Sequence, residues 1–203
     1  MDPSAAIRTL LILAGAYALG CIATGYYLVR LRTARDIRQT GSGSSGATNV
    51  SRLLGWRGFI VTLAIDAAKG ALVVVVARQY QLGSWAMWLA VLAVITGHIW
   101  PAQLRFKGGK GAATYLGAVA MFDWQIGLML VALALAGYLI ALNPALAGLA
   151  AITVLPVVLW LLDFPSEVII GLVALAGVIL FAHRANIREG IAQIRLDEQW
   201  GRE

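Results

Sequence analysis

An all-α, polytopic membrane protein with seven transmembrane helices is the fold class this sequence predicts, and three observations predict it. Of its 203 residues, 60% are hydrophobic and only 13% are charged, a balance foreign to soluble domains. Two stretches, Leu10 to Val29 and Trp124 to Leu162, contain no charged residue, and about 20 apolar residues suffice to cross hydrocarbon. The net charge of +6 is gathered at the ends of apolar runs, which marks cytosolic flanks rather than a nucleic-acid surface.

Taken in order, the first span covers residues 6–29. It is longer than a signal-peptide core and shows no clear small-residue cleavage site before Tyr26-Tyr27, so it reads as a mature helix. A basic segment follows, with Arg30, Arg32, Arg35, Arg38, Arg52 and Arg57. The next spans are 58–78, 84–104, a short 111–123, then 125–142 and 145–162, parted at Asn143-Pro144, where proline removes an amide donor and the residue before it resists helix. The last span is 167–183. Arg105, Lys107 and Lys110 follow the third span and Arg184, Arg188, Arg195 and Arg202 the last, whereas Asp2, Asp123, Asp163 and Glu167 sit at the opposite ends with Arg8 and Arg78. The positive-inside rule then places the amino terminus outside and the carboxyl terminus in the cytosol. One integral-membrane domain, 1–203, accounts for the chain, with cytosolic motif loops near 30–57, 105–111 and 183–203. Cys21 is the single cysteine, which excludes an intrachain disulfide and a multi-cysteine metal cluster.

Three polar segments could carry chemistry, all on the predicted cytosolic side. Thr40 to Asn49 is rich in glycine and hydroxyl side chains and bounded by arginines. Gly41, Gly43 and Gly46 let backbone amides approach an anion, Ser42 and Thr48 add donors, and Arg52 offers two parallel N–H groups. The formal Gly-x-Gly-x-x-Gly match follows no strand, so a dinucleotide site is rejected. The competing reading is a flexible glycine-serine linker. Phe106 to Thr114 holds Lys107, Gly108, Gly109, Lys110, Gly111 and Thr114 at a helix start, without the order of a nucleotide-binding P-loop; lysines alone would be membrane anchors, but anchoring needs no glycines between them. The third segment ends the last span, where the spacing of His183 and Asn186 places them on one helix face. Asp66 and Lys69 are ionisable residues inside a span, also on neighbouring positions, and either functional or a structural pair. His98 reads as a buried structural histidine, and two histidines without carboxylate partners make no metal site. Gly46-Ala47-Thr48 is echoed by Gly111-Ala112-Ala113-Thr114, a faint sign of duplication.

Four blocks together resemble the bacterial acyl-phosphate-dependent glycerol-3-phosphate acyltransferases, the PlsY family: Gly41 to Asn49 with Arg52, Asp66-x-x-Lys69-Gly70, Gly97-His98 through Thr114, and His183-Arg184-x-Asn186-Ile187. The third is the most specific. The resemblance implies seven transmembrane helices in the bacterial inner membrane, a cytosol-facing site, and transfer from acyl phosphate to the sn-1 hydroxyl of glycerol 3-phosphate, giving lysophosphatidic acid and phosphate without acyl-CoA. It implies no cofactor, no metal and no nucleic acid, membrane lipids as surroundings, and a monomer. By motif position it implies Ser42, Lys110, His183 and Asn186 as catalytic and Gly41, Ser42, Gly43, Thr48, Asn49, Arg52, Lys107, Gly108, Gly109, Lys110, Gly111 and Thr114 as substrate-binding, with Asp66, Lys69 and His98 as structural residues or further site candidates. The chain departs from the family pattern at Ser44 and Ser45, where the family usually has asparagine and a branched aliphatic residue. It departs again at Cys21, Ala145 and Gly148, where the family usually has serines, and after Asn186, where Glu189-Gly190 aligns poorly with the usual glycine-x-glutamate.

An acyl phosphate is a mixed anhydride, so its attack needs positioning and charge stabilisation more than a strong nucleophile. Arg52 and Lys110 would hold phosphate charge, and loop amides or Asn186 would stabilise an oxyanion, where one donor is commonly worth about 3 kcal/mol. The attacking hydroxyl's proton has two candidate acceptors, His183 and the donor phosphate. A covalent acyl-enzyme on Cys21 or Ser42 lacks a visible histidine-acid partner. The His-x-x-x-x-Asp signature of another phospholipid acyltransferase family is missing, since Gln103 and Arg188 occupy the acid positions. Two rival readings are an anionic-solute transporter, for which no inverted repeat is found, and a catalytically silent lipid-binding paralogue.

Overall fold

The structure, a computed structural model, describes the backbone of residues 3–200 and the side chains of residues 4–140 and 142–188. The side chains of Asp2, Glu189, Arg195 and Arg202, which entered the charge and motif readings, lie outside the described residues. Among the described residues eight α-helices follow in order: α1 (Pro3–Gly20), α2 (Thr24–Thr33), α3 (Ala47–Gln79), α4 (Ser84–Ile99), α5 (Ala112–Phe122), α6 (Trp124–Ala141), α7 (Pro144–Leu161) and α8 (Ser166–Trp200), with 3-10 turns at Ile37–Gln39 and Ala102–Leu104. No strand occurs among the described residues.

Among the described residues five helical stretches are long and apolar enough to cross a bilayer, and Ala112–Phe122 and Trp124–Ile140 are shorter apolar helices. Many large apolar side chains face outward, Leu11 at 68% exposed and Ile140 at 86% among them. In water this surface would be a liability; in lipid it is the expected exterior. The protein is a multi-pass membrane protein.

The helices pack mainly in pairs, α1 with α4, α3 with α5 and α6 with α7, and α8 lies against α4 and α7. Lipid is as apolar as leucine, so close backbone approach supplies the attraction. At the α3–α5 crossing a Cβ on Gly70 would collide with the Thr114 carbonyl and one on Gly117 with that of Ala67. The core around this frame includes Ile95, Tyr115, Leu155, Leu172 and Ile179, all essentially inaccessible.

Two expected boundaries are corrected and one is kept. The span at 6–29 is two helices, broken over Cys21-Ile22-Ala23. Backbone groups freed within a bilayer need internal partners, and here Gln103 Nε2 donates to the Cys21 carbonyl and Lys69 Nζ to that of Ile22. The span at 84–104 agrees with the candidate span Ser84–Leu104, made of α4 and the 3-10 turn after it. The polar segment 30–57 is not all loop: α3 begins at Ala47 and is kinked at Gly55, whose φ of 65° and ψ of −165° turn a short amino-terminal arm into the long apolar part. The break at Asn143-Pro144 is present as expected, with Leu142 left-handed and Pro144 opening α7.

Candidate active site

A cavity of about 250 Å³ opens where the starts of α3, α5 and α7 meet the end of the apolar part of α8. Its lining includes Ser42, Thr48, Asn49, Arg52, Lys110, Gly111, His183 and Asn186, so residues from all three motif segments converge there.

The first loop is shaped by Asn49. Its Nδ2 donates to the carbonyls of Ile37 (3.2 Å), Thr40 (2.9 Å) and Ser44 (2.8 Å), and its Oδ1 accepts from the Ser42 amide at 3.2 Å. The amide group is fully engaged, so Asn49 builds the wall rather than reaching a ligand. Gly41, with φ 55°, sits so close to Asn49 Oδ1 and the Arg52 side chain that a Cβ would collide with both. This loop is tied to the second by Ser45, whose amide donates to the Gly108 carbonyl at 3.1 Å.

The second loop is held against the end of α4. The amides of Gly108 and Gly109 donate to the Ile99 and His98 carbonyls at 3.0 and 2.9 Å. Arg105 and Phe106 are both left-handed, with φ 54° and 59°, a conformation that persists for such residues only when the surroundings impose it. Gly109 lies against the Nε2 edge of the His98 ring, leaving no room for a Cβ there.

Two helix starts face the cavity without a side-chain cap, α3 at Gly46 and α5 at Gly111. Helix amino termini favour anions through their unpaired amides and dipole. Arg52 stands over this end and makes no hydrogen bond or ion pair among the described residues. Lys110 Nζ donates to Asn186 Oδ1, which joins the second loop to α8. His183 Nδ1 lies 2.8 Å from the Ile179 carbonyl. A carbonyl only accepts, so Nδ1 carries the proton and Nε2 is the acceptor of the neutral ring. This arrangement can bind two phosphate groups and an alcohol side by side.

Not every expected residue reaches the cavity. Lys107 is exposed and outside the lining. Thr114 is fully buried on α5, with its carbonyl against Gly70. Gly41, Gly43, Gly108 and Gly109 shape the loops without lining the space. Sequence reasoning missed Ser44, Phe59, Leu63 and Ala113 as wall residues, although Ala113 lies within the Gly111-Ala112-Ala113-Thr114 echo of Gly46-Ala47-Thr48. Ala145, at a usual serine position, is also in the wall. Asp66 and His98 line the floor. Asp66 pairs with Lys69 at 2.6 Å, and among the described residues no group of three or more His, Cys, Asp and Glu side chains could hold a metal ion.

Arg38 has a different job from Arg52. It pairs with Asp36 at 2.7 Å, donates to the Leu104 carbonyl at 2.9 Å and stacks over Tyr26. These hydrogen bonds from Arg38 hold the Asp36 carboxyl below its ordinary range. The pair therefore clamps the first loop to the 3-10 turn beside the second.

Comparison with known proteins agrees with the geometry. The family model described as glycerol-3-phosphate acyltransferase matches residues 10–193. Glycerol-3-phosphate acyltransferase 1 of Desulfitobacterium hafniense (strain Y51) is 43% identical over 185 residues, which is 89% of this chain and 89% of the relative. The glycerol-3-phosphate acyltransferase of Synechococcus sp. (strain CC9902) is 38% identical, over 92% and 93% of the two chains. The crystal structure of PlsY (YgiH), an integral membrane glycerol 3-phosphate acyltransferase in its glycerol 3-phosphate form, superposes with a TM-score of 0.85 at 30% identity, covering 92% of this chain and 93% of that one. Its lysophosphatidic acid form gives 0.83.

Proposed function

The chain belongs to the glycerol-3-phosphate acyltransferase family and acylates glycerol 3-phosphate, and from that premise we propose that its donor is an acyl phosphate and its acceptor atom the sn-1 oxygen. The observation that carries this reading is the one cavity into which the uncapped starts of α3 and α5 open beside Arg52 and Lys110. Such a site suits two phosphates at once, whereas a thioester donor brings no phosphate to the reacting carbonyl. The sn-1 oxygen attacks the acyl carbonyl carbon, the carbon–oxygen bond to phosphate breaks, and lysophosphatidic acid and inorganic phosphate leave. Arg52 and the loop amides hold phosphate charge, and Lys110, fixed by Asn186, stabilises charge as it moves to the leaving group. His183 Nε2 and the donor phosphate are both able to take the hydroxyl proton.

We assign seven crossings within a single domain, 1–203, in a bacterial inner membrane, the chain working as a monomer with its amino terminus outside and its carboxyl terminus and site in the cytosol. The seven apolar segments support this count. The gathering of Arg30, Arg32, Arg35, Arg105 and Lys107 at the motif-loop end supports the orientation, since cytosolic flanks are rich in basic residues.

The test is lysophosphatidic acid formation by purified protein from labelled glycerol 3-phosphate with palmitoyl phosphate or palmitoyl-CoA. Product from the phosphate alone is expected, and product from the thioester alone would refute the donor assignment. A His183→Ala variant that keeps turnover with an unchanged pH profile assigns the proton to the donor phosphate.

A further inference from the structure

A second polar pocket, of about 430 Å³, lies at the motif-loop end of the bundle and shares no lining residue with the active-site cavity. Its lining includes Tyr26, Arg30, Arg35, Asp36, Gln39 and Thr40. The chain reverses after α2 at left-handed Ala34, whose φ is 57°, and the turn sets Arg35 against the same space as Arg30. Arg30 Nη1 donates to the Ala34 carbonyl at 2.7 Å, and Arg30 makes no other side-chain hydrogen bond among the described residues. The Arg35 guanidinium makes no hydrogen bond or ion pair among them. The acidic side chain in the lining, Asp36, is neutralised by Arg38, whose Nε and Nη2 donate to it at 3.0 and 2.7 Å. Two arginines therefore give the pocket a net positive charge, and Tyr26, Gln39 and Thr40 add neutral hydrogen-bonding groups.

The pocket lies at the depth of lipid headgroups. It opens where the candidate span Ser4–Thr33 ends, and Leu31, between Arg30 and Arg32, is 84% exposed. An apolar side chain thus faces outward beside the arginines, as expected where acyl chains give way to phosphates. We propose that this pocket binds the phosphate of an anionic membrane phospholipid. Guanidinium groups grip phosphate oxygens through parallel N–H donors, and basic pockets flanking a span suit acidic headgroups. A zwitterionic headgroup would bring an ammonium as well, and the Asp36 carboxylate that could receive it is spent on Arg38. Asp36, Gln39 and Thr40 lead into the first loop of the active site, where the Thr40 carbonyl accepts from Asn49 and Arg38 is fastened to the Leu104 carbonyl. A headgroup bound here holds that loop at the membrane surface.

The test is the melting temperature of the purified full chain in neutral detergent, with dioctanoyl phosphatidylglycerol, dioctanoyl phosphatidylcholine or inorganic phosphate added. It needs no turnover and so stands apart from the acyltransferase reading. Phosphatidylglycerol should raise the melting temperature by about 3 °C, and phosphatidylcholine should not. Arg30→Gln combined with Arg35→Gln should abolish the shift, whereas Arg32→Gln combined with Arg57→Gln, which removes two exposed arginines outside the pocket, should keep it. No shift in wild type overturns the proposal. A shift that survives loss of Arg30 and Arg35 overturns it too, by placing the lipid elsewhere, and so does equal loss in both double variants, which diffuse surface charge would give. A shift from inorganic phosphate that equals the lipid's and is lost with Arg30 and Arg35 would make the ligand a free anion and overturn the lipid assignment. Should the first double variant fail to fold, Arg35→Gln decides alone, because that guanidinium has no protein partner to lose among the described residues.

Discussion

The helix starts of this protein fall into two kinds. At α6, Asp123 Oδ1 accepts from the amides of Gln125 and Ile126 at 2.8 and 3.3 Å, and at α7 Asn143 does the same for Ala145 and Leu146 at 3.0 and 3.1 Å. At α3 and α5 glycine occupies the capping position and no side chain caps the helix. Glycine in place of a capping side chain costs only roughly a few tenths of a kcal/mol. A missing side-chain cap does not by itself mark a ligand site, since α2 at Ala23 and α4 at Gly83 lack one too and the capped α7 start lines the cavity. What sets α3 and α5 apart is that their open amides lie beside Arg52 and Lys110.

The comparison breaks most severely if the charge above the open starts is removed. Arg52→Ala should lower kcat/KM by about a hundredfold or more, measured as lysophosphatidic acid formation, while thermal stability is kept because Arg52 has no protein partner among the described residues. Supplying the missing cap is the next test. Gly46 already has the extended backbone of a capping residue, φ −75° and ψ 162°, so Gly46→Asp should cap α3, hold or raise the melting temperature, and raise KM for glycerol 3-phosphate about tenfold by competing with the phosphate. The reverse change at the closed start should do the opposite. Asp123→Ala should cost about 1 kcal/mol in denaturation and leave kcat/KM unaltered.

The smallest expected effect concerns pH at the loop clamp. The Asp36 carboxyl is held below its ordinary range by Arg38, so its contribution is complete above the unfolded carboxylate value of about 3.9 and disappears as pH falls through the lowered folded value. Melting temperatures of wild type and Asp36→Asn should therefore differ by a constant amount from pH 5 to 8 and converge only in acid.

Much of the fold was legible because hydrocarbon reads local composition. The charge-free run from Trp124 to Leu162 announced two helices, and Asn143-Pro144 marked their junction. The break at Cys21-Ile22-Ala23 left no such mark, since all three residues suit a span and the groups that stabilise the break, Lys69 and Gln103, come from distant parts of the chain. The Gly55 kink was equally hidden, a glycine in a helix being ambiguous until its φ is known. Within the site, residue type indicated phosphate chemistry, yet it could not separate Arg52, which is unpaired among the described residues, from Arg38, which is spent on Asp36 and Leu104. Nor could it show that Asn49 is consumed by its own loop, that Lys107 points away or that Thr114 is packing.

By itself the sequence determined the class, the apolar segments and the kind of chemistry, because hydropathy, charge placement and motif composition act over a few residues at a time. Tertiary structure alone decided the partners. Lys110 reaches Asn186 across 76 positions, and Asp66 and His98 meet on a cavity floor only because α3 and α4 pack together. Which polar group is satisfied and which is left for a ligand depends on that long-range packing.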